Sequence, residues 1–129
     1  MLSVGLYALL AGEATITAIV GTRIEPIELS IGQTMPALTY KFVGGSSEPT
    51  FETSGMQKVR VEFNCFANTH LQADTLRQAI RTFLNGFRGA LSDGTVLQNA
   101  DHIQDLDFFE QYSREFRCMS EFYLYFVFP

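Results

Sequence analysis

Polar and apolar residues alternate along Lys58–Ala67, KVRVEFNCFA, without a break as far as Cys65. Val59, Val61, Phe63 and Cys65 fall on one side; Lys58, Arg60, Glu62 and Asn64 fall on the other. Period two predicts a strand with one buried and one wet face. Such a strand belongs to an antiparallel sheet with helices on one side. From Thr69 to Asn85 the period changes. Leu76, Ala79, Ile80, Phe83 and Leu84, with Phe87 beyond them, recur at helical spacing, and Asp74, Arg77, Gln78, Arg81 and Asn85 take the opposite side. Thr69 and Gln72 fit a capping box at its start, and Gly86 or Gly89 ends it.

The same reading extends outward from this pair. Ser3 predicts the cap of a first helix, with Leu6, Leu9 and Leu10 on one face and Gly12 at its end. A second helix is expected over Glu13–Val20, with Glu13 at its positive N-terminus and Gly21 as its stop. Arg23-Ile24 opens an extended segment, and residues 25 to 35 read as an irregular crossing. Pro36 opens a strand over Ala37–Val43, since proline is tolerated at a strand's first residue. The Gly-, Ser- and Pro-rich segment 44–55 predicts a long mobile hairpin loop, with Phe51 as an aromatic contact in its midst. Asp93-Gly94 marks a turn before a strand from Thr95 to Leu106 or beyond. A last strand is expected over Arg114–Phe128, with Phe116, Cys118, Phe122, Leu124 and Phe126 facing inward. Its other face begins with Glu115, Arg117 and Glu121 and ends with Tyr123, Tyr125 and Val127. A strand apolar on both sides is covered on both sides, by the N-terminal helices or by another subunit. The sum is an α+β fold: an antiparallel sheet of about four strands with helices packed on one face.

With 129 residues, the chain is read as one domain, 1–129, able to bury roughly two thirds of its unfolded surface without a metal or disulfide. A net charge of −5 argues against binding nucleic acid by neutralising phosphates. The apolar run Leu2–Ala11 has no basic residue before Arg23 and is too short to span a bilayer, so a soluble chain made inside the cell is expected. Cys65 and Cys118 read as small buried hydrophobes in a reducing compartment; a disulfide requires that their strands be neighbours in register.

No chemistry-bearing constellation stands out. His70 and His102 sit on different elements without zinc spacing, and Gly44-Gly45-Ser46-Ser47 lacks the lysine of a phosphate loop. Asp101, His102 and Asp105 make a poor metal trio, because His102 alternates badly with the acids. The expectation is therefore no catalytic, cofactor-binding or metal-binding residue, and no enzyme. The acidic stretch Asp101, Asp105, Asp107 and Glu110 reads as a solvated strand edge that discourages aggregation.

Two short helices, then Gly21-Thr22-Arg23-Ile24, then Met35-Pro36-Ala37-Leu38-Thr39-Tyr40 opening a strand, then a Gly/Ser hairpin and Val59–Ala67 before an Ala- and Leu-bearing helix form an ordered set. In that order the chain resembles the tail completion family of long-tailed bacteriophages, also described as tail terminators or head–tail joining proteins. It departs from the family in having Phe66 where a tryptophan is common. Arg23, Ile24, Pro36 and Tyr40 carry over as fold markers only. The resemblance implies a homo-oligomeric ring, usually a hexamer, at the head-proximal end of the tail tube. It also implies the tail tube protein and head-closure or neck proteins as partners, and DNA passing through without specific binding. The location implied is the virion neck, reached from the host cytoplasm, with no membrane and no cofactor. Interface residues expected on this reading are Phe51, Tyr123, Tyr125 and Val127. Alternatives are another head–tail connector or tail-tube subunit, or a small α+β ligand-binding or regulatory domain.

Overall fold

A computed structural model describes residues 2–29, 32–51, 56–110 and 115–127. Within them the order is α1 (Leu2–Ala11), α2 (Ala14–Val20), β1 (Ile24–Pro26), β2 (Ala37–Phe51), β3 (Met56–Ala67), α3 (His70–Leu84), β4 (Gly89–Ala90), β5 (Val96–Glu110) and β6 (Glu115–Val127). The strands form one sheet in the order β1-β2-β3-β6-β5-β4. The β1–β2 pair is parallel and the other pairs are antiparallel. The fold is α+β as the alternation predicts, and the alternating stretch lies at the sheet's centre. Six strands stand where about four are expected. The extra two, β1 and β4, are 3 and 2 residues long, too short for any period to register, and β1 begins where Arg23-Ile24 is expected to open an extended segment.

All three helices serve one face. Leu6 and Leu10 of α1, Ile16 and Val20 of α2, and Leu76, Ile80 and Leu84 of α3 join Leu38, Val61, Phe63, Cys65, Cys118, Phe122 and Leu124 in a single buried cluster. α3 packs on β3 and β6, α2 on α3, and α1 on α2. Phe63 and Phe122 meet edge to face at the centre, with ring centroids 5.7 Å apart. The N-terminal helices therefore do not cover the second face of β6.

The local signals mostly act as their chemistry dictates. Thr69 caps α3, its Oγ1 accepting from Gln72 N at 3.2 Å. Gly21, at φ 60, closes α2. Asp93 accepts from Thr95 N and Oγ1 at 3.1 and 2.8 Å, which fixes the turn at Gly94, φ 92. Glu13 stands at the N-cap of α2, at the helix's positive end as expected, with its carboxylate accepting from Thr15 Oγ1 at 2.7 Å. Two expectations are corrected. α1 already begins at Leu2, which places Ser3 inside the first turn instead of at the cap. The segment expected as loop from residue 44 carries the ladder onward to Phe51: after a register shift Glu48 pairs with Lys58 and Pro49 with Gln57. A bulge accommodates the glycines without ending the pairing. Residues 52–55, the rest of that segment, lie outside the described residues, as do Arg114 and Phe128 at the ends of the last strand.

Gly5 is where α1 meets the β4–β5 turn. A Cβ there would lie 2.9 Å from Leu91 Cβ and 2.5 Å from Asp93 Oδ1. Gly5→Ala would gain about 1 kcal/mol of helix propensity, yet the clash with a Cβ atom forces α1 off the sheet. A net loss of roughly 1–2 kcal/mol is expected, read by urea denaturation.

Candidate interaction surface

The helix-free face of the sheet carries a polar lattice across four strands. Register places Lys41, Glu62, Arg60, Arg117, Glu121 and Gln104 on it. Arg60 pairs with Glu121, whose other oxygen accepts from Gln104 Nε2 at 2.8 Å. Glu62 lies 4.0 Å from Lys41 Nζ and 3.9 Å from Arg117 Nη1, and accepts from Asn64 Nδ2 at 3.0 Å. Arg117 also donates to Asn64 Oδ1 at 2.8 Å and stacks on Phe108, 4.1 Å from its centroid. Thr39, Asn64, Met119 and Glu121 are buried on this face, with no described helix above them.

The Glu121 side chain is only 6% exposed. Burial alone would raise its pKa, but the hydrogen bonds from Arg60 and Gln104 outweigh it, and the net direction is down. Its folded pKa thus lies below its unfolded value. The stabilisation is present above the ordinary glutamate range and is lost as pH falls through the folded pKa. Glu121→Gln should flatten the acid limb of a stability–pH curve and leave its alkaline side in place, as measured by melting temperature against pH.

Tyr123, Tyr125 and Val127 stand on this face, half-buried. Lys58 Nζ sits 3.9 Å from the Tyr123 ring centroid and 5.7 Å from that of Tyr125. Their cross-strand neighbours on β5 are Asp101, Asn99 and Val96, so the patch runs out to the β5 side of the sheet. The backbone of Phe51 pairs with Met56 at the far end of the β2–β3 ladder; its side chain is outside the described residues.

Among the described residues the sheet is open at both ends, and the ends are unlike. β4 covers only Val96 and Leu97 of β5. The chain after α3 then satisfies the next stretch: Gly86 N donates to Ala100 O, Arg88 Nε to Gln98 O, and His102 N to Asn85 Oδ1. Past His102, β5 has no outer strand among the described residues, and Ile103, Leu106, Phe108 and Phe109 are exposed beside Asp105 and Asp107. At the other end β1 stops at Pro26, Ile27 N donates to Tyr40 O at 2.9 Å, and beyond Tyr40 β2 has no outer strand among the described residues. There Ile27 holds φ 68, an uncommon conformation for a β-branched residue, and is 67% exposed. With Pro26, Tyr40, Lys41 and Phe42 it lines a hollow of about 420 Å³. Sequence patterning did not single out Ile27, Ile103, Leu106 or Phe109 for this role, because an isolated apolar residue has no periodicity.

The helix-covered face also gathers titratable groups. Arg77, 9% exposed, donates to Asp74 Oδ1 at 2.6 Å, to Leu106 O at 3.4 Å, and to Asp107 Oδ1. That bond from Arg77 holds the Asp107 carboxyl below the usual range. His70 Nε2 lies 3.4 Å from Asp107 Oδ2. Cys65 and Cys118 are directly opposite across β3 and β6, buried and unlinked. Burial pushes the Cys118 thiol up to about 11 and Cys65 up as well. The trio Asp101, His102 and Asp105 is split: His102 Nε2 meets Asp105 at 2.7 Å, but Asp101 faces Tyr123 on the other side of the sheet.

No described helix is long and apolar enough to cross a membrane. A family model described as Tail completion protein gp17 matches residues 4–125. No curated protein matches the sequence. Among solved structures, a chain from the virion of a native gene transfer agent (GTA) particle is similar at a TM-score of 0.74 and 15% identity, covering 97% of this chain and 93% of that one.

Proposed function

We propose, from the premise that the chain belongs to the Tail completion protein gp17 family of structural phage tail proteins, that it closes the tail as a ring through its two unlike sheet ends. Cyclic closure needs two different complementary patches on each subunit. The observation that carries this reading is the pair of open ends: Ile27 and Phe42 beside β1 on one, Ile103, Leu106 and Phe109 on the other. The first edge of one copy meets the second edge of the next, and six copies complete the circle. The ring caps the head-proximal end of the tail tube, stops its growth and offers a surface to the head-closure proteins. On the helix-free face the cations are paired with carboxylates or rings among the described residues, which suits a wall past which DNA slides without binding. The subunits gather in the host cytoplasm and end in the virion neck.

Tyr123, Tyr125 and Val127 border the β5 side and form part of the same contact, since tyrosine is favoured at interfaces. Tyr123→Ser with Tyr125→Ser is expected to reduce incorporation into particles and to leave the melting temperature within a few degrees of the parent. Unchanged incorporation removes these residues from the contact. The role itself is tested by electron microscopy of lysates from a phage lacking this gene. The expected result is DNA-filled heads apart from tails of irregular length. Joined, normal virions would refute it.

A further inference from the structure

We propose that His70, Asp107 and Cys118 form a zinc site that ties the start of α3 to the β5–β6 hairpin. One nitrogen, one carboxylate oxygen and one sulfur from three separate elements lie within 4.8 Å of one another. The His70 Nε2 to Asp107 Oδ2 separation of 3.4 Å is long for a hydrogen bond. It equals the span that nitrogen and oxygen ligands of one tetrahedral zinc adopt, about 3.4 Å from bond lengths near 2.1 Å. Bringing sulfur to its place requires a shift of roughly 1 Å, within the reach of two half-exposed side chains.

Arg77 supports the site instead of blocking it. Its guanidinium takes Asp107 Oδ1 and leaves Oδ2 turned towards His70. A carboxylate hydrogen-bonded through one oxygen while ligating through the other is the common outer-shell arrangement around metals. The Arg77 charge is itself balanced by Asp74. Zinc binding exchanges aqua ligands of the hydrated ion for Zn–N, Zn–O and Zn–S bonds, keeps one water as the fourth ligand, and releases the other waters and the Cys118 thiol proton to solvent. One carboxylate and one thiolate then neutralise the dication at this half-open position. Cys65, across the strand pair, stays outside the group.

The test is titration of the purified, full-length chain with Zn²⁺, and with Co²⁺ as a spectroscopic probe. One metal per chain is expected. The cobalt form should show intense tetrahedral bands and a thiolate-to-cobalt charge-transfer band. His70→Ala should weaken binding on the order of 100-fold, and Cys118→Ala should abolish the charge-transfer band. His70 is exposed, so its variant folds even where the buried Cys118 replacement does not. Absence of stoichiometric binding, a cobalt spectrum without the thiolate band, or unchanged affinity in His70→Ala would each overturn the site. The assay uses the free protein and so is independent of ring formation.

Discussion

Phe63→Ala is expected to remove about 4 kcal/mol of stability, within the range for truncating a fully buried aromatic. Phe63 is inaccessible and sits on the central strand, edge to face with Phe122 and inside the cluster that joins all three helices to the sheet. Alanine leaves a cavity that β3 cannot collapse around, because its backbone is paired on both sides with β2 and β6. For a domain of this size the loss corresponds to a fall of roughly 12–18 °C in melting temperature. Calorimetry reads it directly. A drop of only a degree or two would mean that the core is not centred on this pair.

The second large effect falls on assembly and spares the fold. Ile103→Asp with Leu106→Asp replaces two exposed apolar residues on the open half of β5, beside Asp105 and Asp107. Exposed substitutions of this kind change stability by about 0.5 kcal/mol each. In the ring, by contrast, two anchors are lost and two charges are desolvated, which costs several kcal/mol and more than about 100-fold in association. The variant should fold, bind normally to no neighbour, and fail to rescue infectivity of a phage lacking the gene. Full rescue would remove the β5 edge from the ring contact.

The parts of this fold open to prediction from sequence were those with a long, clean period. The alternation at Val59–Cys65 and the stripe at Leu76–Leu84 identify a central strand and the helix over it. Thr69 at the cap and Asp93-Gly94 at the turn act through bonds made within a few residues. β4 escapes because two residues carry no period, and β1 is legible only as the extended segment that opens at Arg23-Ile24. The Gly/Ser stretch misled because its composition signals a loop, and only the partner strand determines that pairing continues. Cys65 and Cys118 could be assigned inward, but their direct opposition depends on the β3–β6 register, which no local signal encodes. The same holds for His70, Asp107 and Cys118: 37 residues separate the first two, and only the tertiary fold brings them together. Asp101 shows the converse. It is adjacent to His102 in sequence and yet lies on the opposite face.

The most direct test of the ring is a cross-link between its two proposed edges inside assembled particles. Phage carrying Ile27→Cys together with Leu106→Cys would be purified, treated with a short thiol cross-linker and run on a denaturing gel. A ladder rising to six linked subunits is expected, present only when both cysteines are in the same chain. A product that stops at dimers with Leu106→Cys alone would mean that like edges meet, and absence of any linked species in intact particles would contradict edge-to-edge closure.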